Sequence, residues 1–526
     1  MKSIIYSLAS VVLVSLGSCA NDEPVLTEKD WQGTATYFAS TDEQFTSFYK
    51  PAVGYVGDPM PFYDPVEQNF KILYLQDFRP NPDATYHPIW GVSTTDLSSY
   101  QSLGELIPTG TAAEADAALG TGCVIYDEAA KLYYTFYTGH TSKQEVVMMA
   151  TSSDFKDWTK SRLFYLQGSD YGYSAKDFRD PFVFKGDDGQ YHMIVSTLKG
   201  TKGVLAEFTS ADLKSWTHKG EFMSMMWDRF YECPDVFKMG DWWYLIYSER
   251  LTSVRKVQYF KGRTLDELKA CTANDAGLWP DNNGNEGVLD SRAFYAGKTA
   301  SDGTDRYIWG WCPTRTGNNN TDVGAAPNEP EWAGNLVAHR LIQHEDGTLS
   351  FGNVEGIDKK YTTESALKVM AKSEAGVVEN ADKYELTGNA YVLFNRLNVR
   401  NKLSFTVKAG SKTDKFGFSF VRGTDSKKYY SIVVSPEKDG DYKKLNFEEQ
   451  GEEGIGFVNG IDGYFFPTPA NNEYNVTIYT DNSVCVVYIN DNVVYTNRIY
   501  GLQKNCWSIN SYEGSVEVSN VSVNYY

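Results

Sequence analysis

The chain has 526 residues, of which 15% are aromatic, and its formal net charge is −19 at pH 7. This length allows more than one hydrophobic core, so two or more domains are expected. The negative charge argues against a nucleic-acid partner and against adhesion to anionic lipid through a basic surface, because both need clustered Lys and Arg. An acidic protein acting on an uncharged substrate fits this composition best.

Residues 1–19 have the layout of a secretory signal. Lys2 is followed by a mostly apolar run from Ile4 to Leu16, which is too short to span a bilayer. The run ends in Leu-Gly-Ser-Cys, whose last residue is Cys19, and this ending resembles a bacterial lipobox. We therefore expect an exported protein held by a lipid on Cys19 to the outer membrane, at the cell surface or on the periplasmic face. An ordinary cleaved signal peptide is the alternative.

Six further cysteines are spread widely and form no CxxC pair. Their spacing indicates neither a zinc site nor a dense disulfide framework, and buried thiols are the expected state. The even count leaves a disulfide open. We expect no metal ion and no other cofactor.

Residues 20–48 are interpreted as a tether with peripheral strands. From residue 49 to 358, short β-type runs alternate with Gly, Asp, Asn and Pro, and helical periodicity is nearly absent except at residues 264–270. A short motif, an Asp followed four residues later by an aromatic, recurs at Asp96, Asp154 and Asp212, with 58 residues in both intervals. Even spacing of multi-strand units is typical of a β-propeller.

Residues 361–526 again show alternating strands with frequent turn signals, which predicts a β-sandwich. We interpret this domain as a packing module rather than a binding module. Its charge-rich stretch from Glu437 to Glu453 is expected to be a solvated loop. The fold class is therefore all-β, a propeller followed by a C-terminal sandwich.

Three acidic residues, Asp58, Asp180 and Glu232, each stand shortly before a proline at the start of a separate strand-like run. The first strands of successive propeller blades converge on the central axis, so these carboxylates should meet there. Glycoside cleavage needs a proton donor to the leaving oxygen and a carboxylate nucleophile or a base-activated water. A third acid can stabilise the oxocarbenium-like transition state.

The neighbours of the three acids suggest separate roles. Glu232 lies among apolar neighbours, which suits a proton donor. Asp180 adjoins Arg179, which favours the charged form and therefore an electrostatic stabiliser. Asp58, on a short and rigid side chain after Gly57, suits the nucleophile.

The blocks around these acids resemble those of glycoside hydrolase family 32, the invertases, inulinases and levanases. Further blocks occur in that family's order: Leu73-Tyr74-Leu75-Gln76, Thr121-Gly122-Cys123, Tyr137-Thr138-Gly139, Phe294-Tyr295-Ala296, Trp309-Gly310-Trp311 and Trp332-Ala333-Gly334. The resemblance implies a five-bladed propeller with a sandwich behind it. It also implies retaining hydrolysis of β-fructofuranosidic bonds, in fructans or sucrose-type sugars, through a fructosyl-enzyme intermediate.

Under this resemblance Asp58 is the nucleophile, Asp180 the stabiliser and Glu232 the acid/base. Gln76, Arg179 and Trp332 are implied to hold the fructosyl unit, with Thr121 a further binding candidate from its block. Trp90 is also a candidate, because it lies in a polar, Pro-rich stretch that could rim the pocket.

One block departs from the family. The residue before the nucleophile is usually an Asn that binds a sugar hydroxyl, and here it is Gly57. This change bears on which sugar is accepted. Two alternatives therefore stay open: a related five-bladed glycosidase acting on an arabinoside or xyloside with inversion, and a glycan-binding lipoprotein without turnover.

Overall fold

The computed structural model describes residues 45–78, 87–224, 230–249, 256–271, 287–315, 330–420, 430–450, 457–459 and 463–526. The expected signal peptide, Cys19 and all but the last residues of the tether lie outside these ranges. No helix in the described ranges has the length and apolarity needed to cross a bilayer.

Antiparallel strands between residues 55 and 352 form five blades. Blade I contains β1 (Tyr55–Asp64), β2 (Asn69–Asp77), β3 (Ile89–Thr94) and β4 (Gln101–Ile107). Blade II contains β5 (Ala118–Asp127), β6 (Leu132–His140), β7 (Glu145–Ser152), β8 (Thr159–Lys160) and β9 (Leu166–Gln167). Blade III contains β10 (Phe178–Lys185), β11 (Tyr191–Lys199), β12 (Lys202–Ser210) and β13 (Thr217–Ser224).

Blade IV contains β14 (Tyr231–Met239), β15 (Trp242–Glu249) and β16 (Val257–Gly262). Blade V contains β17 (Tyr295–Ser301), β18 (Arg306–Arg315), β19 (Pro330–Gln343) and β20 (Leu349–Gly352). The ring closes where β19 pairs with β1 through Gly334 and Val56. Because a closed ring leaves no blade without a neighbour, each blade buries its apolar faces against the next.

The recurring Asp motif marks the same turn in three blades. Asp96, Asp154 and Asp212 follow β3, β7 and β12, and each Oδ1 accepts hydrogen bonds from the two backbone N–H groups two and three residues further on. The residue after each Asp has a positive φ, from 58° to 62°. The repeat in the sequence is therefore a repeat of local structure, as the propeller interpretation requires.

The C-terminal region is a sandwich of two eight-stranded antiparallel sheets. The first sheet contains β21 (Thr363–Glu364), β23 (Val377–Asn380), β24 (Lys383–Thr387), β26 (Arg400–Ala409), β32 (Glu473–Asp481), β33 (Val484–Ile489), β34 (Val493–Arg498) and β36 (Ser515–Tyr525). The second contains β22 (Val369–Lys372), β25 (Ala390–Phe394), β27 (Lys415–Phe420), β28 (Tyr430–Glu437), β29 (Tyr442–Gln450), β30 (Phe457–Asn459), β31 (Tyr464–Pro467) and β35 (Trp507–Glu513).

Helix is confined to short pieces in the described residues. They are the α-helices Leu265–Lys269 and Glu355–Asp358 and the 3₁₀ turns Gly168–Tyr171 and Lys438–Gly440. The first α-helix matches the one helical stretch predicted in the propeller region, and the Thr264 hydroxyl caps it by accepting the Glu267 N–H. The all-β propeller and sandwich are thus confirmed.

The interpretation of Glu437 to Glu453 as a solvated loop is wrong for most of its length. Its central part is β29, which pairs with β28, and Leu445 and Phe447 of that strand are buried in the sandwich core. Two pairs of charged residues flank Leu445 and Phe447, which lie two positions apart on one face, so the high charge density conceals a strand with one buried face.

Strand β33 explains how the two domains join. Its six residues are all buried: Cys485, Val487 and Ile489 pack into the sandwich core, and the alternate residues pack against the propeller. Because successive side chains point to opposite faces, a continuous apolar run results from burial on both sides.

A buried guanidinium reinforces this junction. Arg498, 1% exposed, donates hydrogen bonds to the carbonyl oxygens of Cys312 and Pro313 and to Oδ1 of Asn335, at 2.7–2.9 Å. These three acceptors lie on β18 and β19 of blade V. The sandwich therefore holds β18 and β19, and β19 is the strand that closes the propeller against β1.

Candidate active site

The innermost strand of every blade carries a β-bulge near its start. The first strands β1, β5, β10, β14 and β17 contact one another in a ring around the propeller axis. Their register with the second strands shifts after Gly57, Gly120, Arg179, Glu232 and Tyr295. Bulges re-aim side chains and are frequent at active sites. The sequence thus brings five equivalent bulges to one end of the axis.

Asp58 and Asp180 occupy the strained position of their bulges. Their φ angles are 24° and 57°, and Cys233 and Ala296 have φ of 51° and 56° at the corresponding place in blades IV and V. Positive φ is uncommon for residues other than Gly and costs free energy that surrounding contacts must offset. Both aspartates are therefore fixed by the ring of bulges.

The Asp58 carboxylate is held by blade V. Trp311 Nε1 donates to Asp58 Oδ1 at 2.9 Å, and the Thr121 hydroxyl donates to the Asp58 carbonyl oxygen at 3.2 Å. Burial, followed by the nearby charge of Asp180, raises the pKa of Asp58 to about 7, although the Trp311 hydrogen bond opposes the rise. The carboxylate is thus basic for an Asp, and about half of it is ionised at neutral pH.

Asp180 bridges blades II, III and IV. Its backbone N–H donates to the Thr138 hydroxyl at 2.9 Å, and its Oδ2 accepts the N–H of Cys233 at 2.9 Å. The side chain is nearly inaccessible, with 4% of the residue exposed. Burial raises the pKa of Asp180 to about 6, outweighing the opposing effect of Arg179. Arg179 favours the charged form of Asp180, as expected from the sequence, but desolvation is the larger effect and leaves the pKa of Asp180 raised.

Glu232 accepts hydrogen bonds from two neighbouring blades. The Tyr295 hydroxyl donates to its Oε2 at 2.5 Å, and Arg179 Nη2 donates to its Oε1 at 3.2 Å. The side chain is 16% exposed, so part of the carboxyl group stays accessible to a bound molecule. A carboxyl group placed this way can exchange a proton with a bound molecule while its orientation is fixed.

Arg179 links Glu232 to a further acid that the sequence did not single out. Its Nη1 lies 3.0 Å from Glu145 Oε2 and 3.3 Å from Asp177 Oδ1, and its guanidinium stacks over the Phe230 ring at 4.1 Å. Burial opposes the charge of Arg179, but the carboxylates of Glu145, Asp180 and Glu232 raise the pKa of Arg179 above its ordinary value. The guanidinium is therefore permanently charged and fixed in orientation.

The indole of Trp332 fills the space beside Gly57. A Cβ atom on Gly57 would lie 2.3 Å from Cη2 of Trp332, which is closer than real Cβ contacts come. The imidazole of His87 also packs against this indole, with ring centroids 4.4 Å apart. Trp311 lies next to it at 6.4 Å. The space that a side chain at position 57 of blade I would occupy is therefore filled by an aromatic ring from blade V.

The remaining candidates, Gln76, Thr121 and Trp90, differ in their contacts. Gln76 is buried on β2, its Nε2 donates to the Val53 carbonyl at 2.6 Å, and its Oε1 accepts no hydrogen bond from the described residues. Thr121 lies in the bulge of β5 and uses its hydroxyl on Asp58. Trp90 lies on β3 rather than in a loop, with its ring 6.0 Å from that of Phe78. Cys19 lies outside the described residues.

Sequence reasoning assigned no role to Trp311, Tyr295 or Glu145. The first two stand in motifs that were noted, but their hydrogen bonds to Asp58 and Glu232 cross between blades and have no local signal. Glu145 stands in no motif at all. The six cysteines of the described chain are free thiols, and the described residues contain no cluster of three potential metal ligands.

Comparison with known proteins places this site in a family. Residues 48–351 match the model described as "Glycosyl hydrolases family 32 N-terminal domain", and residues 347–523 match "GH32, BT1760-like, C-terminal domain". The fold is similar to that of fructan 1-exohydrolase IIa from Cichorium intybus, with a TM-score of 0.68, 15% identity, and coverage of 92% of this chain and 98% of that one.

Two curated relatives match over a smaller share of this chain. Beta-fructofuranosidase, insoluble isoenzyme 3, of Oryza sativa subsp. indica is 24% identical over 408 residues, which are 70% of this chain and 64% of the rice enzyme. The chain thus matches less than two thirds of that relative. Sucrose-6-phosphate hydrolase of Escherichia coli is 23% identical over 438 residues, 78% of this chain and 80% of that enzyme. Because the N-terminal family model covers more than half of the sequence, the chain belongs to glycosyl hydrolase family 32.

Proposed function

We propose that the protein is a retaining glycoside hydrolase that cleaves β-fructofuranosidic bonds in fructans or sucrose-type sugars. The observation that carries the proposal is the pairing of Asp58, held by Trp311, with Glu232, held by Tyr295 and Arg179, at one end of the propeller axis. Asp58 is fixed as the nucleophile and Glu232 stays partly accessible for proton exchange, which is the division of labour that double displacement requires.

In the first step the Asp58 carboxylate attacks the anomeric carbon of the fructosyl unit. Glu232 gives its proton to the glycosidic oxygen as the bond to the leaving sugar breaks, so an ester joins the fructosyl unit to Asp58. In the second step Glu232, now a carboxylate, takes a proton from water, whose oxygen attacks the same carbon. The ester breaks, and both carboxyl groups return to their starting states.

Asp180 would act on the charge that develops between these states. It is buried, and its Oδ2 is anchored by the Cys233 N–H, so the other carboxylate oxygen can bind hydroxyl groups of the fructosyl ring. A fixed negative charge near the ring stabilises an oxocarbenium-like transition state without reorganisation. The Oε1 of Gln76, to which no described residue donates a hydrogen bond, offers a further acceptor for a sugar hydroxyl or water.

The substrate class rests on the family and on the relatives, whose names are fructan exohydrolase, beta-fructofuranosidase and sucrose-6-phosphate hydrolase. Another furanoside is a second candidate substrate, because Gly57 lacks the amide that is usual at this position and the Trp332 ring fills the space beside it. Arabinan is the informative comparison substrate.

Product release from sucrose, inulin, levan and arabinan tests the proposal. The purified protein without residues 1–19 is compared with D58A and E232A, and with D187N as a surface control. Release of fructose or fructo-oligosaccharides by the parent and by D187N, lost in both active-site variants, would support it. Release from arabinan alone would replace the substrate, and sugar binding without any turnover would favour a glycan-binding protein.

We further propose export and lipid attachment at Cys19, from the Leu-Gly-Ser-Cys sequence at its position. Full-length protein expressed in a Gram-negative host should partition into detergent and carry a diacylglycerol-modified N-terminal peptide by mass spectrometry. The C19A variant should lose both properties. An unmodified, water-soluble parent would contradict the anchor without affecting the proposed catalysis.

A further inference from the structure

Glu145 is a buried acid that the proposed reaction does not use. It is the first residue of β7 in blade II and is 8% exposed. Its backbone N–H donates to the Ala175 carbonyl, and its Oε2 accepts the backbone N–H of Phe178, at 2.9 and 3.1 Å. The carboxylate therefore reaches across the gap between blades II and III and is fixed at the start of β10.

From this position Glu145 engages the guanidinium that touches the acid/base. Arg179 Nη1 donates to Glu145 Oε2 at 3.0 Å, while Nη2 of the same group donates to Glu232 Oε1 at 3.2 Å. Tyr295 completes the row from blade V through its hydroxyl. Four side chains from four successive blades thus form one continuous line of hydrogen bonds, with Glu145 at one end.

The line has an electrostatic consequence for a proton donor. A carboxyl group in contact with an unshared guanidinium gives up its proton readily, which opposes general-acid action. Here one guanidinium is shared, because Glu145 and Asp177 both contact its Nη1. The side chain of Glu145 is 10% exposed against 32% for Asp177, so Glu145 is the less screened of the two charges.

We propose that Glu145 is a positioning residue for the acid/base: it holds Arg179 in place and offsets its charge, so that Glu232 can carry the proton needed by the leaving group. This proposal rests on the proposed glycosidase function. Among the described residues, the titratable groups that face the Arg179–Glu232 pair, besides Glu145, are Asp58, Asp177, Asp180, Cys233, His140 and Tyr295.

The E145Q variant removes the charge and keeps the size of the side chain. We expect kcat/KM on inulin or sucrose to fall about 10- to 100-fold, a part of the 10²–10⁴ that a general acid contributes. An aryl β-D-fructofuranoside, whose leaving group needs little protonation, should lose less than about threefold. The alkaline limb of the pH profile should move to lower pH, because Arg179 is then less neutralised.

Two variants frame this result. D177N removes the more exposed charge and should give a smaller change in the same direction. E221Q makes the same substitution on the outer strand of blade III, where Glu221 forms a 2.6 Å ion pair with Lys199. This variant should leave the activity on both substrates and the pH profile unaltered. Equal losses of E145Q on both substrates, with an unmoved alkaline limb, would show a merely structural role and overturn the proposal.

Crystal structures of the parent and of E145A, which removes the acceptor itself, test the positioning role without turnover. The proposal expects the guanidinium of Arg179 to rotate away from its present fork, so that the Nη1 contact on the blade II side is lost and the Glu232 contact changes. An unchanged orientation of Arg179 in E145A would contradict it. A parent that cleaves no β-fructofuranoside would contradict the proposed function instead, and the crystallographic comparison would still decide the role of Glu145.

Discussion

The indole N–H of Trp311 donates a 2.9 Å hydrogen bond to the Asp58 carboxylate across the closure between blades V and I. This bond stabilises the ionised form of Asp58 against burial, which raises the pKa of that carboxyl to about 7. The reactivity proposed for Asp58 therefore depends on a residue more than 250 positions away in the sequence.

Replacement of Trp311 by Phe should weaken this control. The loss of one hydrogen bond to a charged group corresponds to about 1.5–3 kcal/mol, so kcat/KM should fall roughly 10- to 100-fold. The pKa of Asp58 should rise, which moves the acidic limb of kcat/KM to higher pH. W309F is the control, because that indole lies two residues earlier on the strand and donates to the Tyr100 hydroxyl instead. An unmoved acidic limb in W311F would contradict the assignment.

The stability of the protein should also report the ionisation of Asp58. An unfolded Asp has a pKa of about 3.9, and the folded value is about 7. The folded state therefore keeps a proton that the unfolded state has released, and stability falls as pH rises between these two values. At pH 8 the D58N variant should melt about 2 °C or more above the parent, with the difference disappearing near pH 4.

Asp64 provides a control of opposite sign. Burial opposes its ionisation, but hydrogen bonds from Lys71, Val66 and Tyr133 lower the pKa of Asp64 below its ordinary value. D64N should therefore be less stable than the parent at pH 8. Calorimetry of the parent and both variants at pH 4 and pH 8 gives the comparison, and a destabilised D58N at pH 8 would refute the linkage.

The contact between Gly57 and Trp332 predicts compensation between two substitutions. The methyl group of an alanine at position 57 would lie 2.3 Å from Cη2 of Trp332, which is a steric clash. G57A should therefore be less stable than the parent and lose activity. The double variant G57A/W332A should recover stability relative to the sum of the single changes. G410A is the control, since a Cβ there would meet its nearest atom at 3.2 Å. Strictly additive effects in the double variant would contradict the packing described.

Arg498 should be essential to the union of propeller and sandwich. R498M leaves three buried oxygen atoms of blade V without their donor, and we expect a loss of about 3 kcal/mol or more in the free energy of unfolding. Denaturant titration measures it. K383M, which removes an exposed ion pair with Glu517, should change little. Equal behaviour of the two variants would show that the junction rests on apolar packing alone.

The fold could be predicted because its signals are local or periodic. The recurrence of Asp96, Asp154 and Asp212 reflects one turn used in three blades, and a turn of this kind depends only on neighbouring residues. The positions of Asp58, Asp180 and Glu232 follow from their place at the start of blade-forming strands.

Other features depend on contacts that no local pattern encodes. Trp311 and Tyr295 meet the carboxylates only because the ring closes, and Glu145 reaches Arg179 across a gap between blades. The ionisation of Asp180 is set by burial, which its neighbour Arg179 in the sequence does not reveal. Strand β29 was missed because its charges obscured the buried positions of Leu445 and Phe447.

Trapping of the covalent intermediate tests the central claim most directly. The E232Q variant should form the ester with an aryl β-D-fructofuranoside but hydrolyse it slowly. The variant is incubated with this substrate, digested and examined by mass spectrometry. We predict one added fructosyl unit on the peptide that contains Asp58, absent in D58N, and a first product with retained configuration in the parent. An inverted first product with no adduct on Asp58 would contradict the account.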